Sequence, residues 1–323
     1  MGQGLTRRNT MAIENYMRDT VGSEDVPFID ALTEEAPLLE ALPMQTTNKG
    51  MQHNFEKLKS VSAIQLVDLD GALPIIGSDS TMDDVTLSVL GGQMTVGEDA
   101  AKKFGGVAQY FAKKIKPVLV ETGSQLEASL IYNTWRPAAK ANNREIDAGG
   151  SGSAIMYSIL AVKFVEDESF GLFDPNGFGT GKMFDIAPLN NGSLHNVDVG
   201  GGVEAPGYAQ RAKAYFGIQT SNERNIGSIV NIDLTPDGAT DSGFKDFPTE
   251  AQMDDLLEHV RANSSNTRLM MHPKVANALA VYKAGRLELG VEDENLKRRF
   301  KLWEGIEINQ SRNFKNGTEA VVV

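Results

Sequence analysis

The apolar positions of this chain follow a helical period in two stretches. Residues 28–42 carry apolar side chains three or four residues apart, interrupted by Pro37 and closed by Pro43. A second stretch, from residue 98 to residue 135, has the same spacing, which is typical of a helix with one buried face. The two stretches predict a short N-terminal helix and a long helix downstream of it.

Glycine and proline predict breaks within the second stretch. Gly105-Gly106 interrupts the pattern near its start, and Pro117 falls near its middle. Proline lacks the amide hydrogen and is tolerated best in the first turn of a helix. We therefore expect the long helix at residues 116–134, ending before Pro137.

Residues 46–97 have a different pattern, because their apolar positions alternate in short runs among Thr, Ser, Gly and Asp. Such alternation predicts strands. The apolar side chains are too few to close a core, and an isolated two-stranded ribbon is marginally stable in water. We therefore predict a strand-rich arm whose partner surface lies on another molecule. Asp70-Gly71 signals a turn, and Pro74 and Gly77 limit regular pairing at the tip that follows.

The rest of the chain alternates strand and helix patterns after a turn-rich joint at residues 142–153. Thr249 is placed to cap a helix at residues 249–262, a second helix is expected at residues 274–283, and residues 166–210 are loop-rich. Strands are expected at residues 154–164, 215–220, 227–234, 268–271, 303–309 and 320–323. Asn316-Gly317, a strong hairpin dipeptide, is expected to join the last two strands.

Composition narrows the classes of protein. The 323 residues are enough for one large domain or two ordinary ones, and the absence of cysteine excludes disulfides and thiolate zinc sites. The sequence contains no apolar run long enough for a membrane span, so no membrane partner is predicted. A net charge of −12 repels nucleic acid, which argues against sequence-specific DNA binding. Such a surface suits a protein that faces DNA without adhering to it, and equally any soluble acidic protein.

Motifs for catalysis or cofactor binding are incomplete. Residues 177–182 (GFGTGK) superficially suggest a phosphate loop, but Asn176 stands where that motif requires glycine and Met183 stands where it requires Ser or Thr. A surface turn is the better interpretation. Residues 149–152 do not match the dinucleotide-binding pattern, since no strand pattern precedes them.

The four histidines also lack metal-binding spacing. His259 is expected to be solvated on a helix, and His272, before Pro273, is expected to have a structural role at a turn. The chain has no G-x-S-x-G elbow and no H-E-x-x-H motif. We therefore predict no enzyme activity and assign no catalytic, cofactor-binding or metal-binding residues.

Three stretches carry a resemblance to a known family: residues 26–61 (VPFIDALTEEAPLLEALPMQTTNKGMQHNFEKLKSV), residues 86–106 with 120–135, and residues 266–285 with 301–323. Together they resemble a tailed-bacteriophage major capsid protein of the Hong Kong 97-type fold, closest to the branch found in short-tailed phages. The resemblance implies an α+β fold with an N-terminal arm, an extended β-loop, a spine helix with a peripheral domain, and an axial α/β domain.

The resemblance also implies how the chain divides. The expected parts are an N-terminal arm at 1–27, an N-terminal helix at 28–45, an extended loop at 46–97, a peripheral domain at 98–147 and 300–323, and an axial domain at 148–299.

Assembly follows from the same resemblance. Pentamers and hexamers would tile an icosahedral shell around double-stranded DNA, bound non-specifically, in a virion assembled in the host bacterial cytoplasm. Expected partners are further copies of the chain, a portal and, in some relatives, a decoration protein. Relatives with a fused scaffolding domain carry about a hundred extra N-terminal residues, so we expect a separate scaffolding protein here.

The extended loop supplies the candidate inter-subunit contacts: Lys57, Lys59, Leu73, Pro74, Ile75 and Ile76. Lysines of the loop and asparagines near the C-terminus could in principle form the isopeptide cross-link known in some relatives, but ordinary surface contacts are the favoured interpretation. Two alternatives remain open at this point. One is an encapsulin-like shell of a cellular compartment with an enzyme cargo, and the other is a glycine-loop nucleotide-binding enzyme.

Overall fold

The computed structural model of the chain describes residues 26–62, 64, 66, 75–151, 155–166, 168–174, 184–238, 243–282, 287–289 and 301–322. Its helices are α1 (Val26–Thr33), α2 (Pro37–Ala41), α3 (Glu98–Lys103), α4 (Val107–Ser129), α5 (Arg136–Ala141), α6 (Glu250–His259) and α7 (Pro273–Tyr282). A π-helical turn, Leu130–Trp135, joins α4 to α5, and 3₁₀ turns lie at Leu189–Gly192 and Glu223–Asn225.

The strands form three sheets. They are β1 (Met44–Thr46), β2 (Gln52–Val61), β3 (Ser78–Thr86), β4 (Ser88–Gly97), β5 (Glu145–Asp147), β6 (Met156–Lys163), β7 (Ser169–Phe173), β8 (Phe184–Pro188), β9 (His195–Asp198), β10 (Glu204–Thr220), β11 (Ile226–Pro236), β12 (Phe244–Asp246), β13 (Thr267–Met271), β14 (Leu287–Leu289), β15 (Lys301–Trp303) and β16 (Ile306–Gln310). One sheet has the order β1-β7-β10-β4, with β8 and β9 also paired to β10. The largest has the order β12-β11-β6-β13-β16-β15-β14, with β5 beside β11, and β2 pairs with β3 in a separate ribbon.

The N-terminal apolar stretch forms two helices rather than one. Pro37 lies in the first turn of α2, where its missing amide hydrogen is not needed, and Leu38 and Leu39 of that helix are fully buried. The predicted interruption at Pro37 is therefore confirmed. In addition, Gly123 of α4 lets that helix approach α1 so closely that an added Cβ would collide with the carbonyl oxygen of Leu32.

The long helix starts and ends elsewhere than predicted. Gly105 and Gly106 have φ values of 88° and 122° and separate α3 from α4, as expected. The predicted break at Pro117 is wrong, because α4 continues through it. Pro117 and Lys113 lie on the exposed side of the helix, so water can bond the carbonyl that proline leaves without a donor. Pro137 opens α5 instead of ending the helical run.

The strand β6 separates two hydrophobic cores. Tyr157, Ile159 and Ala161 point into a core formed by the largest sheet with α6 and α7, whereas Leu160 and Val162 point into a core with α1, α2 and α4. A strand buried on both faces reads as a continuous apolar run instead of an alternating one. The predicted buried strand at residues 154–164 is confirmed, and its continuous pattern has this cause.

Three predictions about the second half need correction. Residues 166–210 were expected to be loop-rich, yet β7, β8, β9 and the start of β10 lie there. The last hairpin turns at Glu304-Gly305, where both φ values are positive (48° and 78°), and joins β15 to β16. Asn316-Gly317 forms no hairpin, and residues 320–322 are not a strand, because Val322 bonds the side chain of Asn231 instead. The N-cap of α6 at Thr249 is confirmed, with a complete capping box.

Candidate assembly surfaces

The β2–β3 ribbon is attached to the rest of the chain at its base. The amide of Leu87 donates to the carbonyl of Met51 over 2.8 Å, and the ring of His53 meets the edge of Phe170 at a centroid distance of 6.0 Å. Val85 packs on a small buried cluster that includes Phe170 and Leu172. Beyond this base, the described strands pair with each other from Gln52 opposite Thr86 to Val61 opposite Ser78.

The prediction that residues 46–97 have their partner surface on another molecule is wrong for β4 and stays a prediction for the β2–β3 ribbon. The strand β4 pairs along its length with β10 of the same chain, from Ser88 opposite Phe216 to Gly97 opposite Gly207. Val96 of β4 is buried beside β10. The small number of apolar residues within 46–97 was therefore misleading, because the strand that covers β4 lies more than a hundred residues later in the chain.

Four of the six predicted contact residues are described, and they lie in the ribbon or just before β3. Lys57 is half-buried in β2 opposite Thr81, and Lys59 follows at the point where the strand register shifts. Ile75 and Ile76 are 98% and 51% exposed just before β3. Leu73 and Pro74 lie outside the described residues.

Large apolar side chains are exposed along this segment. The accessible surfaces of Ile64, Leu66 and Met82 are 85%, 107% and 69% of the values for the same residues in an extended reference peptide. Exposed apolar side chains that cluster on one segment are typical of a surface that another molecule covers.

A second exposed surface lies on α3 and the first turns of α4, and sequence reasoning missed it. Residues 100–120 contain five lysines and no Asp or Glu in a chain of net charge −12. This run of lysines is visible in the sequence, but the apolar spacing that predicts the helix does not reveal it. Phe104, between the two helices, is 48% exposed and packs edge-on against Tyr110 at a centroid distance of 5.3 Å.

Buried polar groups tie the N-terminal helices and the C-terminal segment to α4. The fully buried carboxylate of Glu127 accepts hydrogen bonds from the amide of Leu38, at 3.0 Å, and from the hydroxyl of Ser311. Burial raises the pKa of Glu127 above its usual range, while these two hydrogen bonds act in the opposite direction. The carboxyl group therefore holds three distant parts of the chain together.

A second buried carboxylate, Glu319, performs a similar task near the C-terminus. It pairs with Arg136 at 2.8 Å and accepts hydrogen bonds from Tyr132 at 2.7 Å and Ser158 at 2.9 Å. Burial and the charge of Glu319 raise the pKa of Tyr132. The Tyr132 hydroxyl therefore stays protonated and donates its hydrogen to Glu319. The helical run is thereby fixed to the segment that follows β16.

The clefts of the described structure are open and lined by mixed charges. One, with a volume of about 520 Å³, is lined by Arg144, Arg224, Asp255, Glu258, His259 and Arg261. Arg144 is already engaged there, since its guanidinium donates to the carbonyl of His259 at the end of α6. His259 is half-buried with an enclosed Nδ1, so the expectation of a solvated histidine is wrong.

The remaining sequence motifs have these outcomes. His272 is buried, and its Nδ1 accepts from the amide of Lys274 at 3.1 Å, which confirms a structural role at the start of α7. Within the described ranges, no cluster of His, Asp or Glu has the geometry to hold a metal ion. Residues 177–182 lie outside the described part of the chain. The described helices include none that is both long and apolar enough to cross a membrane.

Solved structures share this fold. No protein-family model matches the chain, and no curated protein does. A chain of the near-atomic-resolution cryo-EM structure of bacteriophage Epsilon15 matches 85% of this chain over 87% of its own length, with 15% identity and a TM-score of 0.52. The bacteriophage JBD30 capsid matches 84% of this chain over 88% of its own, with 10% identity and a TM-score of 0.50. These two matches establish a mixed α/β fold in common with phage particle proteins.

One further match has a lower score. The holo-SrpI encapsulin complex from Synechococcus elongatus PCC 7942 matches 62% of this chain over 88% of its own, with 9% identity and a TM-score of 0.44.

Proposed function

We propose that this chain is a major capsid protein, copies of which assemble into the icosahedral head shell of a tailed bacteriophage around double-stranded DNA. The observation that carries the proposal is the β2–β3 ribbon, which is paired within itself, anchored at its base and apolar at exposed positions such as Met82. A ribbon of two strands gains little stability alone, so its exposed surface makes sense as a contact between copies. The fold shared with the JBD30 capsid supports the same role.

The finer assignment is also a proposal. The chain would have the Hong Kong 97-type organisation and belong to the short-tailed branch. The arm would occupy 1–27, the N-terminal helix 28–45, the extended loop 46–97, the peripheral domain 98–147 with 300–323, and the axial domain 148–299. A separate β2–β3 ribbon within residues 46–97 and the long helix α4 within residues 98–147 support this division.

Assembly would proceed through pentamers and hexamers in the host bacterial cytoplasm, with a separate scaffolding protein and a portal as partners and, as in some relatives, a decoration protein. Lys57, Lys59, Leu73, Pro74, Ile75 and Ile76 would contact neighbouring copies. Closed symmetry would cover the free edges of the ribbon, which otherwise invite irregular strand pairing. The net charge of −12 would keep the inner surface from adhering to packaged DNA.

Sedimentation and negative-stain microscopy of the full-length protein test this function. The protein is concentrated alone and with a scaffolding protein, and we expect capsomers, shells or tubes. A strict monomer at high concentration with scaffold supplied would contradict the proposal. Particles from the native source that lack DNA and hold an enzyme cargo would contradict the viral role and favour a cellular compartment.

A further inference from the structure

A patch of positive charge lies on the exposed side of α3 and α4. It comprises Lys103, Phe104, Tyr110, Lys113 and Lys114, and is called the basic patch below. Tyr110, Lys113 and Lys114 are three and four residues apart, so they lie on one side of α4. The ammonium group of Lys113 lies 5.9 Å from the ring centroid of Phe104, which joins the two helices into one surface.

The lysines of this patch are not neutralised within the described structure. The two flanking lysines are already paired, Lys102 with Glu98 at 2.6 Å and Lys116 with Glu34 at 2.9 Å. For Lys103, Lys113 and Lys114, the described part of the chain contains no ion-pair partner. Three positive charges without an ion-pair partner therefore surround an exposed aromatic ring, and aromatic residues are enriched at protein interfaces.

One face of the ribbon has the opposite character. Glu56 of β2 lies directly opposite Met82 of β3, and Asn54 lies opposite Asp84, so Glu56, Met82 and Asp84 project from the same face. All three side chains are exposed, Met82 by 69%. We call these three residues the acidic ribbon face. Neither of its carboxylates pairs with a lysine of the basic patch anywhere in the described structure.

The two surfaces are complementary in charge and in apolar content. Each has a large exposed apolar side chain flanked by charges of one sign: Met82 with two carboxylates on the ribbon, and Phe104 with three lysines on the patch. A methionine sulfur makes favourable contacts with aromatic rings, and opposite charges around such a contact set its register. We propose that the acidic ribbon face of one copy docks on the basic patch of a neighbouring copy. The inference rests on the proposed function, because it names the surface that receives the ribbon.

A second copy fits the basic patch better than nucleic acid does. Non-specific DNA binding needs many phosphate contacts, whereas this patch offers three unpaired lysines on a chain of net charge −12. Packaged DNA also offers no counterpart to the exposed ring of Phe104. The acidic ribbon face supplies both the carboxylates and the apolar side chain, and every copy of the chain carries it.

Charge reversal tests the docking in the full-length protein. One variant combines Lys113→Glu with Lys114→Glu, a second combines Glu56→Lys with Asp84→Lys, and a third carries all four changes. Because each reversal places like charges in contact at every copy, we expect either one to lower the fraction of protein in sedimenting particles about tenfold. The fourfold variant restores complementarity and should recover most of that loss, and raised salt should weaken the wild-type assembly.

A matched control separates the contact from net charge. Lys245→Glu with Lys274→Glu makes the same change in charge at exposed lysines of β12 and α7, and it should assemble as the wild type does. Equal loss of particles in this control, or no recovery in the fourfold variant, would overturn the docking. So would normal assembly of the lysine variant accompanied by weaker retention of a double-stranded DNA fragment. A wild-type chain that never assembles would contradict the proposed function itself.

Discussion

The helix α4 and the β2–β3 ribbon are both long elements of this chain, but they are held in opposite ways. The helix buries a stripe that includes Phe111, Ile115 and Leu119, and it is bonded through Glu127 to segments from both ends of the chain. The ribbon is bonded at its base and leaves Met82 exposed. The comparison teaches that the residues that stabilise the subunit are separate from the exposed residues for which we propose a role in assembly.

The largest expected difference follows from removing apolar volume in each region. Leu39→Ala empties a fully buried site beneath α2 and should lower the free energy of unfolding by about 3 kcal/mol, measured by urea denaturation of unassembled subunits. Met82→Ala should change it by less than about 0.5 kcal/mol, because the side chain is exposed. Equal effects of the two substitutions would show that the ribbon is packed within the subunit.

Adding a methyl group gives a smaller contrast. Gly123→Ala forces α4 away from the Leu32 carbonyl and should cost about 2 kcal/mol. Gly92→Ala on β4 is the control, since nothing lies within 4 Å of its added Cβ. If both variants unfold at the wild-type urea concentration, the close approach of α1 and α4 does not exist in solution.

The pH dependence of unfolding tests the helix side of the comparison, through the buried carboxyl group of Glu127 in α4. Because burial raises the pKa of Glu127 in the folded state, its contribution to stability is fully present below the usual glutamate pKa of 4.5 and is lost as the pH rises through the folded-state pKa. Glu127→Gln should therefore lose less stability than the wild type between pH 4.5 and neutrality. Urea midpoints measured across this range give the answer, and parallel curves for wild type and Glu127→Gln would refute the assignment.

The smallest effect on stability is expected from removing residues 71–77, which the sequence predicts to form a loop tip. Deleting residues 71–77 should leave the free energy of unfolding unchanged, because the described part of the ribbon packs only at its base. The same deletion should abolish shells seen by negative stain if the tip contacts neighbouring copies. Normal shells from the deletion variant would refute the role proposed for Ile75, Ile76 and the residues before them.

Local chemistry allowed much of this fold to be predicted from the sequence. The buried strand β6, the cap at Thr249 and the breaks at Pro37 and Gly105-Gly106 all depend on neighbouring residues, and all are confirmed. Pairing between distant segments was not predictable in the same way. Nothing near β4 indicates that its partner is β10.

The errors at turns and at the site have physical causes too. Asn316-Gly317 has the better hairpin composition, but the segment after it is held by Asn231, so the hairpin forms at Glu304-Gly305. Pro117 is tolerated because its side of α4 faces water. At the candidate site, the ribbon was predictable from its lack of apolar residues. The run of lysines that forms the basic patch is visible in the sequence, but which of them are paired depends on distant residues such as Glu34, the partner of Lys116.

The position of β6 between two cores has a consequence for how the subunit deforms. Because alternate side chains of β6 belong to the two cores, neither core can unfold or separate from this strand without exposing the other core. We expect one cooperative transition in calorimetry, with equal calorimetric and van't Hoff enthalpies. If copies of the chain assemble as we propose, a change in particle size would have to come from rotation of whole subunits against one another, because each subunit resists bending between its two cores.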